Sequence, residues 1–461
     1  MPRGNHEPSV IAQRQRSTAK GILVRTSTAR KIDCLNADND LSGDGLRNGF
    51  SIDIAPLDAT FRDSNRAPLH SWFPYLEGYS PRFVQSVMQE YLPKAKRILE
   101  PFAGSGTTPI VLGQIGIECA YSEANPAMAF VIQTKLEILG MGLGSRLLLS
   151  NRIGALNKQL AGRVRKAKAD AALRKAYVST FGDSVFFDST VLETILKLRT
   201  VTDEILEEDR ALGNCLLLAI LASLIPSSRL KRAGDLRFKT PKELANGTPC
   251  IMQTINERLF TQAADIASAV ELCAPTLFAC DTAGGLHEAV DGLWDGVITS
   301  PPYLNGTNYI RNARLELWFH REISSKDDLR SLRDRVITSG INDVDAQTDW
   351  RPVTAGVERI VAELEQKAYD QRISKMVGGY FRGMHVALAA LTACLHKKGR
   401  LCIDIGDSMY AGVHVQTDDL LVEVAEGLRL RTVERVHLRK RISKGGQPVR
   451  QQLLVFEKED P

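Results

Sequence analysis

Residues Arg97–Thr108 read Arg-Ile-Leu-Glu-Pro-Phe-Ala-Gly-Ser-Gly-Thr-Thr, a short apolar run followed directly by a glycine-rich turn. A helical pattern follows the turn, and a second apolar run, Ile117–Tyr121, leads to the acid Glu123. The order strand, glycine-rich turn, helix, strand and acid is typical of the first half of a doubly wound α/β domain. This stretch therefore predicts a Rossmann-like sheet whose strand ends meet at one edge.

The strand pattern returns in the second half of the chain. Apolar runs at Thr276–Cys280, Asp295–Thr299 and Arg400–Ile405 predict further strands. Near the C-terminus, Arg431–Arg439 and Gln451–Glu457 flank a Gly-Gly pair and predict a final β-hairpin. The expected fold class is α/β: a doubly wound sheet with a C-terminal β-hairpin and a mostly helical insertion.

Changes in composition divide the chain into four regions. Residues 1–65 lack periodicity and carry separate basic and acidic stretches, so we expect a loosely ordered N-terminal arm. Residues 66–139 are expected to form the first half of the sheet domain, and residues 275–461 the second half. Between them, residues 140–274 are helical and basic with few strand signals, which predicts an insertion and a candidate target-recognition region.

Length and composition exclude several classes of protein. The chain has 461 residues, of which 44% are hydrophobic and 25% charged. These values are typical of globular domains and not of collagen, coiled coils or disordered chains. The longest apolar run, Cys215–Ile225, is shorter than the ~20 residues that cross a membrane. With eight dispersed cysteines and no apolar leader, we expect a cytoplasmic protein with reduced thiols and no bound metal.

Basic residues are concentrated in three segments, although the formal net charge is only +5. Arg146–Lys175 carries a local charge of +8, Arg229–Lys242 of +5 and Arg429–Arg450 of +7. One basic run is usually a solvated helix face. Three of them in one chain favour a polyanionic partner such as nucleic acid.

Three kinds of ligand bind at glycine-rich turns after a strand, and the residues around this turn distinguish between them. A nucleoside triphosphate site needs a lysine in the loop, and Gly104–Thr108 contains none. A dinucleotide site favours a third glycine where Pro109 stands. S-adenosylmethionine (SAM) needs the turn, an acid such as Glu123 for the ribose hydroxyls, and room for its charged end. A tight turn without any ligand is the structural alternative.

A second stretch, Asp295–Tyr303, ends in Thr-Ser-Pro-Pro-Tyr directly after a predicted strand. Pro301 and Pro302 lack N–H groups and restrict φ, and Ser300 before them is pushed toward extended geometry. The loop therefore presents a hydroxyl and carbonyl oxygens that can hold an amino group, beside the aromatic face of Tyr303. A proline-rich turn with a buried tyrosine is the structural alternative here.

Together the two stretches resemble motifs I and IV of the amino-group DNA methyltransferases, which methylate cytosine N4 or adenine N6. The segment Tyr121–Pro126 is similar to the acidic motif II of that family, and Asp281 resembles its motif III acid. His70–Tyr91 is similar to the helical segment before motif I, and the resemblance covers roughly residues 70–135 and 276–457. Position 100 is Glu where the family usually has Asp, and the insertion separates motif II from motif III.

The resemblance implies a SAM-dependent enzyme that acts on double-stranded DNA without a metal. Such enzymes flip the target base out of the duplex. Tyr303 is then expected to stack on the base, while the Ser300 hydroxyl and the Pro301 carbonyl accept hydrogen bonds from its amino group. The catalytic residues it implies are Ser300, Pro301, Pro302 and Tyr303. The residues it implies for SAM are Glu100, Phe102, Ala103, Gly104, Ser105, Gly106, Thr107, Thr108, Glu123 and Asp281.

The target base is a choice between two amino groups. In the family, Ser-Pro-Pro-Tyr is commoner among cytosine-N4 enzymes and Asp-Pro-Pro-Tyr among adenine-N6 enzymes, so Ser300 favours cytosine N4. Adenine N6, an RNA or protein substrate, and a catalytically silent DNA-binding subunit remain alternatives. The expected setting is a restriction or defence system. Phosphate contacts are expected from Arg229, Lys231, Arg232, Arg439, Lys440 and Arg441.

Overall fold

The computed structural model describes residues 59–62, 64, 67–75, 78–443 and 446–460. Most of the expected N-terminal arm, residues 1–65, lies outside the described residues, as does Gly445 in the turn of the C-terminal hairpin. No helix in the described part of the chain is long and apolar enough to span a bilayer.

A seven-stranded sheet forms the centre of the fold, in the order β10-β11-β7-β6-β1-β2-β5. The five neighbouring strands β7, β6, β1, β2 and β5 are parallel to one another. Strand β11 is antiparallel to both of its neighbours, β7 and β10. The strands of the described residues are β1 (Arg97–Glu100), β2 (Glu118–Ser122), β3 (Leu230–Ala233), β4 (Asp235–Phe238), β5 (Thr276–Cys280), β6 (Trp294–Thr299), β7 (Leu395–Gly406), β8 (Ser408–Tyr410), β9 (Val413–Val415), β10 (Leu430–Ile442) and β11 (Pro448–Lys458). The predicted α/β fold class with a C-terminal hairpin is confirmed.

The strand order reverses in the middle of the sheet. From β1 the chain builds outward through β2 to β5, and it then returns to the other side of β1 to add β6 and β7. Such a reversal leaves a crevice at the carboxyl ends of the two central strands, here β1 and β6. The glycine-rich turn follows β1 and the Ser-Pro-Pro-Tyr loop follows β6, so the topology brings the two motifs together.

Helices cover both faces of the sheet because its central strands are apolar on both sides. Ile98 and Ile298 are buried with helices α1 and α2, whereas their neighbours Leu99 and Val297 are buried with α14, α15 and α16. The helices of the described residues are α1 (Pro81–Tyr91), α2 (Thr107–Gln114), α3 (Pro126–Leu139), α4 (Leu143–Lys166), α5 (Ala171–Phe181), α6 (Ser189–Glu208), α7 (Arg210–Leu224), α8 (Pro241–Ala245), α9 (Ile251–Ser268), α10 (Leu286–Ala289), α11 (Tyr309–Asn312), α12 (Arg314–Phe319), α13 (Lys326–Arg333), α14 (Ala355–Lys367), α15 (Arg372–Cys394) and α16 (Thr417–Glu426).

A helical unit lies between the two halves of the sheet. Helices α4 to α9 belong to residues 140–274, and all of them except α8 share one buried core with α11 to α13 from beyond residue 275. Trp318 of α12 joins the two parts: it is fully buried, and its indole N–H donates to the carbonyl of Leu173 in α5 at 3.0 Å. Trp318 is therefore a core residue of the helical unit. The division of the chain at residues 139 and 274 stays a prediction.

One hairpin in the helical unit was not predicted. Strands β3 and β4 pair antiparallel and pack against the segment that follows the Ser-Pro-Pro-Tyr loop, where the amide N–H of Leu236 donates to Asn312 Oδ1 at 2.8 Å. The strands have four residues each and are rich in charge. A run this short lacks the alternation that identifies a strand from sequence.

Helix α1 begins where its sequence predicts, and its start can be tested. The pair Ser80-Pro81 is typical of a helix N-cap followed by proline at the first helical position. The Ser80 hydroxyl accepts from the amide N–H of Phe83 at 3.3 Å. We expect Ser80→Ala to lower the free energy of unfolding by about 1 kcal/mol, and Ser80→Gly by only a few tenths. Urea unfolding followed by circular dichroism measures both, and equal losses would contradict a capping role.

Candidate active site

The glycine-rich turn depends on two glycines in the left-handed region. Gly104 has φ +55° and Gly106, the N-cap of α2, has φ +91°. A Cβ atom on Gly104 would lie 2.9 Å from the ring of Tyr75, and one on Gly106 would lie 2.9 Å from Ile132. Both positions therefore require glycine, for space as well as for conformation.

Hydrogen bonds to the carboxylate of Glu100 connect the two central strands, β1 and β6, beneath this turn. It is 1% exposed, and its carboxylate accepts from the amide N–H of Phe102 at 3.0 Å, the hydroxyl of Tyr79 at 2.7 Å and the hydroxyl of Thr299. Burial raises the pKa of Glu100 above its ordinary value. Thr299 is the last residue of β6, so this carboxylate links the turn to the strand that carries the Ser-Pro-Pro-Tyr loop. Its position is below the turn and not in the lining of the main cavity.

Glu123 closes the far side of the turn. One carboxylate oxygen accepts from the amide N–H of Gly104 at 2.7 Å, and the other accepts from the amide N–H of Asn125 at 2.8 Å. Desolvation in the crevice raises the pKa of Glu123 to about 7, although these two hydrogen bonds act in the opposite direction. An acid at the end of the second strand thus lies next to the main chain of the turn, as predicted.

A cavity of about 1100 Å³ extends from the glycine-rich turn to the Ser-Pro-Pro-Tyr loop. This volume is slightly above the ~300–1,000 Å³ usual for a single ligand site. The predicted residues that line it are Phe102, Gly104, Glu123, Arg232, Ser300, Pro301, Pro302, Tyr303, Arg439 and Arg441. Ala103, Ser105, Thr107 and Thr108 border a small adjoining recess together with Ser300.

Tyr303 is held at both its hydroxyl and its ring. Its hydroxyl accepts from Nε2 of Gln451 at 2.9 Å, and its amide N–H donates to the hydroxyl of Tyr309 at 3.2 Å. The guanidinium of Arg441 lies 5.0 Å from the centre of its ring, within the range of a cation–π contact. Burial, and next the nearby carboxylate of Asp404, raise the pKa of the Tyr303 hydroxyl.

Two buried polar residues behind Tyr303 were missed by the sequence analysis. Asp404 near the end of β7 is 2% exposed, and Gln451 on β11 is 1% exposed. Both oxygens of Asp404 accept from Nε2 of Gln451, at 2.8 and 3.0 Å. The only signal in the sequence is a single acid inside the apolar run Leu401–Ile405. A polar residue inside a buried strand needs a partner, and only the fold identifies that partner.

Asp281, like Glu100, is a predicted SAM residue that does not line the main cavity. Its carboxylate accepts from the guanidinium of Arg335 at 3.0 Å and is exposed. The residues directly after it, Thr282, Ala283 and Gly284, do line the cavity. The motif III segment thus lines the site through the three residues after the acid and not through the acid itself.

The six predicted phosphate contacts fall into two groups. Arg229 and Lys231 form exposed ion pairs, with Asp188 at 3.0 Å and Glu243 at 2.8 Å, and Lys440 is exposed on β10. Arg232, Arg439 and Arg441 point into the cavity instead. Arg232 is held there by the buried carboxylate of Glu316. Basic side chains therefore reach from the outer surface to the neighbourhood of Tyr303.

Known proteins similar to this chain are methyltransferases. It is 23% identical over 431 residues to the type II methyltransferase M.BsoBI of Geobacillus stearothermophilus, which covers 83% of this chain and 82% of that protein. The type II methyltransferases M.AvaI of Nostoc sp. and of Anabaena variabilis are each 23% identical over 409 residues, with 80% of both chains covered. No protein-family model matches the chain.

A solved structure, the rRNA methyltransferase aviRa of Streptomyces viridochromogenes, aligns with 82% of this chain and 85% of its own at 10% identity. Its TM-score of 0.27 is too low to support an inference. The similarity in sequence extends over four fifths of the chain, and the strand order places both motifs at the reversal point of the sheet. The chain is therefore similar to type II methyltransferases over most of its length, and its two motifs resemble those of the SAM-dependent DNA methyltransferases of the amino-group type.

Proposed function

We propose that this protein transfers the methyl group of SAM to the exocyclic N4 of a cytosine flipped out of double-stranded DNA. The observation that supports this most is the single cavity with two chemically different ends. Its lining includes the glycine-rich turn and Glu123, which we call the first end, and the Ser-Pro-Pro-Tyr loop with Tyr303, which we call the second end. An amino group held at the second end would face a methyl donor held at the first.

The residues at the first end fit SAM. Gly104 lines the cavity without a side chain, so a ligand can approach the main chain of the turn. The carboxylate of Glu123 can accept hydrogen bonds from the two ribose hydroxyls. These hydrogen bonds would be strong because the acceptor is charged. Phe102 offers an apolar surface beside them. SAM supplies an electrophilic methyl group when it is bound.

The second end of the cavity fits a planar base that carries an amino group. The Ser300 hydroxyl and the Pro301 carbonyl can accept hydrogen bonds from the amino group and hold its nitrogen toward the methyl donor. Stacking on an aromatic ring contributes ~1–3 kcal/mol per base, which partly offsets the cost of a few kcal/mol for flipping. Fixing the two reactants in one orientation supplies much of the acceleration.

Three further features of the proposal come from the relatives and the family pattern. Ser300 favours cytosine N4 over adenine N6, because the family's N4 enzymes more often have serine at this position. The curated relatives are type II methyltransferases, so we propose a companion restriction enzyme that recognises the same site. We also propose that the protein acts in the cytoplasm, on the nucleoid, where Arg229, Lys231 and Lys440 contact phosphates.

The product of methyl transfer tests the proposed function. Purified protein is incubated with SAM and unmethylated genomic DNA, the DNA is digested to nucleosides, and the product is identified by mass spectrometry. We expect N4-methylcytosine, because the family's N4 enzymes more often have serine at the position of Ser300. N6-methyladenine would overturn the assignment of the base and keep the reaction. A matched reaction with RNA in place of DNA is the control that shows which nucleic acid is the substrate.

A protein that binds SAM but methylates neither base of DNA would overturn the proposed function. Sequencing of the modified genomic DNA in the same experiment identifies the recognition site. Oligonucleotides that carry this site are then the substrate for every kinetic prediction below.

A further inference from the structure

The C-terminal hairpin places two arginines on the wall of the cavity. Arg439 and Arg441 are separated by one residue on β10, so their side chains leave the strand on the same side. Lys440 between them leaves it on the other side and is exposed. Arg62, from the segment before α1, also lines the cavity and lies close enough to Arg439 to interact with its charge. Three positive side chains thus lie near the second end of the cavity.

Neither Arg439 nor Arg441 forms an ion pair with a carboxylate of the described residues. Nε of Arg439 donates to Oε1 of Gln451 at 2.7 Å, and Nη2 of Arg441 donates to the main-chain carbonyl of Asp407 at 3.0 Å. Both hydrogen bonds therefore go to uncharged acceptors. Other arginines of the cavity lining are paired: Arg232, Arg335 and Arg382 with Glu316, Asp281 and Asp349.

Positive charge at this end exceeds the negative charge beside it. Asp404 is the carboxylate whose charge acts on both Arg439 and Arg441, and its two oxygens already accept from Nε2 of Gln451. Burial lowers the pKa of Arg439, and the like charges of Arg441 and Arg62 act in the same direction. An anion bound between the guanidinium groups would offset both effects.

The position of Arg441 is set by its neighbours. Its guanidinium lies against the main chain of Gly406, where a Cβ atom would come within 2.1 Å of Nη2. It also lies 5.0 Å from the centre of the Tyr303 ring. Nε of Arg441 is buried and has no hydrogen-bond partner among the described residues, which is unfavourable for a charged donor. The planar fork of a guanidinium suits the oxygens of a phosphate group.

We propose that Arg439 and Arg441 bind one phosphodiester group of the flipped nucleotide while its base lies on Tyr303; this inference rests on the proposed function. The phosphates of a nucleotide are one sugar away from its base, so a base in the cavity brings its own backbone to the hairpin. Binding that phosphate favours the flipped nucleotide over the stacked one. This site is distinct from the exposed basic residues that we assign to the duplex outside the cavity.

A neutral phosphate analogue tests this contact directly. Duplexes with the recognition site carry one methylphosphonate, either 5′ or 3′ to the target cytosine. The Kd is measured by fluorescence anisotropy with S-adenosylhomocysteine present, so that no methyl group is transferred. For the wild type, we expect one of the two positions to weaken binding by about 10- to 100-fold.

The double variant Arg439→Gln/Arg441→Gln should lose a similar factor on the natural duplex. On the sensitive methylphosphonate duplex it should lose little more, because the charge that the arginines contact is already absent. The slope of log Kd against log salt concentration should fall by about one for this variant. Arg441→Gln alone leaves the hydrogen bond between Arg439 and Gln451 in place and should show the same pattern with a smaller loss.

Lys440→Gln is the matched control, because it removes a charge from the same strand on the opposite side. It should weaken the natural and the methylphosphonate duplexes by the same factor. A Tm for each variant checks the fold. If the double variant also loses the same factor on both duplexes, the arginines do not contact this phosphate and the inference is wrong.

Two further results would overturn the inference. If the double variant binds SAM more weakly and DNA as before, the anion at this site is the carboxylate of SAM. If the wild type methylates no DNA, the proposed function fails, and the present inference fails with it. The last result is distinct from the others, since they are obtained with an active wild-type enzyme.

Discussion

Replacing Tyr303 by alanine is expected to slow methyl transfer by about 10³-fold while the affinity for SAM stays unchanged. Two losses combine in this figure: the stacking surface for the base, ~1–3 kcal/mol or roughly 5- to 150-fold, and the hydrogen bond from Gln451 that orients the ring, about tenfold. Tyr303 lies at the end of the cavity away from Glu123, so the SAM site should remain intact. Single-turnover kinetics and calorimetric titration with SAM measure the two quantities.

Tyr303→Phe is the matched control for this prediction. The phenyl ring still stacks on a base, so this variant should lose only the contribution of the hydroxyl and should fall between wild type and Tyr303→Ala. Hydrogen bonds from Gln451 to this hydroxyl also hold the ring, and a Tm measured for each variant separates a loss of fold from a loss of chemistry. Equal methyl-transfer rates for Tyr303→Ala and wild type would show that Tyr303 does not contact the target base.

Replacing Glu123 by alanine is expected to weaken SAM binding by about 10²- to 10⁴-fold. Two hydrogen bonds to a charged acceptor contribute ~1.5–3 kcal/mol each, and alanine removes both. The dissociation constant for SAM, measured by calorimetry, is the direct test. Binding of DNA in the absence of SAM should change little, because Glu123 lies at the other end of the cavity from Tyr303.

The pH dependence of SAM binding gives the control for Glu123. The pKa of this carboxyl is about 7, and only its ionised form accepts from both ribose hydroxyls. Affinity in the wild type should therefore rise as pH increases from 6 to 8. Glu123→Gln should bind weakly and show no such rise. A wild-type affinity that is level across this range, or that falls, would contradict the role assigned to Glu123.

Much of the fold was readable from local signals. A glycine-rich turn after an apolar strand and the Ser80-Pro81 helix start each depend on neighbouring residues alone, and the structure has both. The C-terminal hairpin was recognised too, although its strands are longer than predicted, Leu430–Ile442 and Pro448–Lys458 instead of Arg431–Arg439 and Gln451–Glu457. Strand ends are hard to place from sequence because they depend on pairing with other strands, here β7 and β11.

The candidate site was readable only where its residues belong to a contiguous motif. Gly104, Glu123 and Tyr303 were found because each stands in a short pattern with its own chemistry. The carboxylate of Asp281 was expected at the cavity and pairs with Arg335 instead, a partner 54 positions away in the chain. No local pattern records such a pair, because the competition between a ligand and a distant arginine is decided by the packing of two separate segments.

By itself, the sequence determined the class of fold and identified two loops, each with a predicted ligand. These properties follow from residues adjacent in the chain, where glycine, proline and alternating apolar residues restrict the backbone directly. Only the tertiary structure decided that Asp404 and Gln451 stand behind Tyr303, and that α11 to α13 complete the core of the helical unit. Those contacts join strands and helices far apart in sequence. Asp404 meets Gln451 because β11 pairs antiparallel with β7 in the folded sheet.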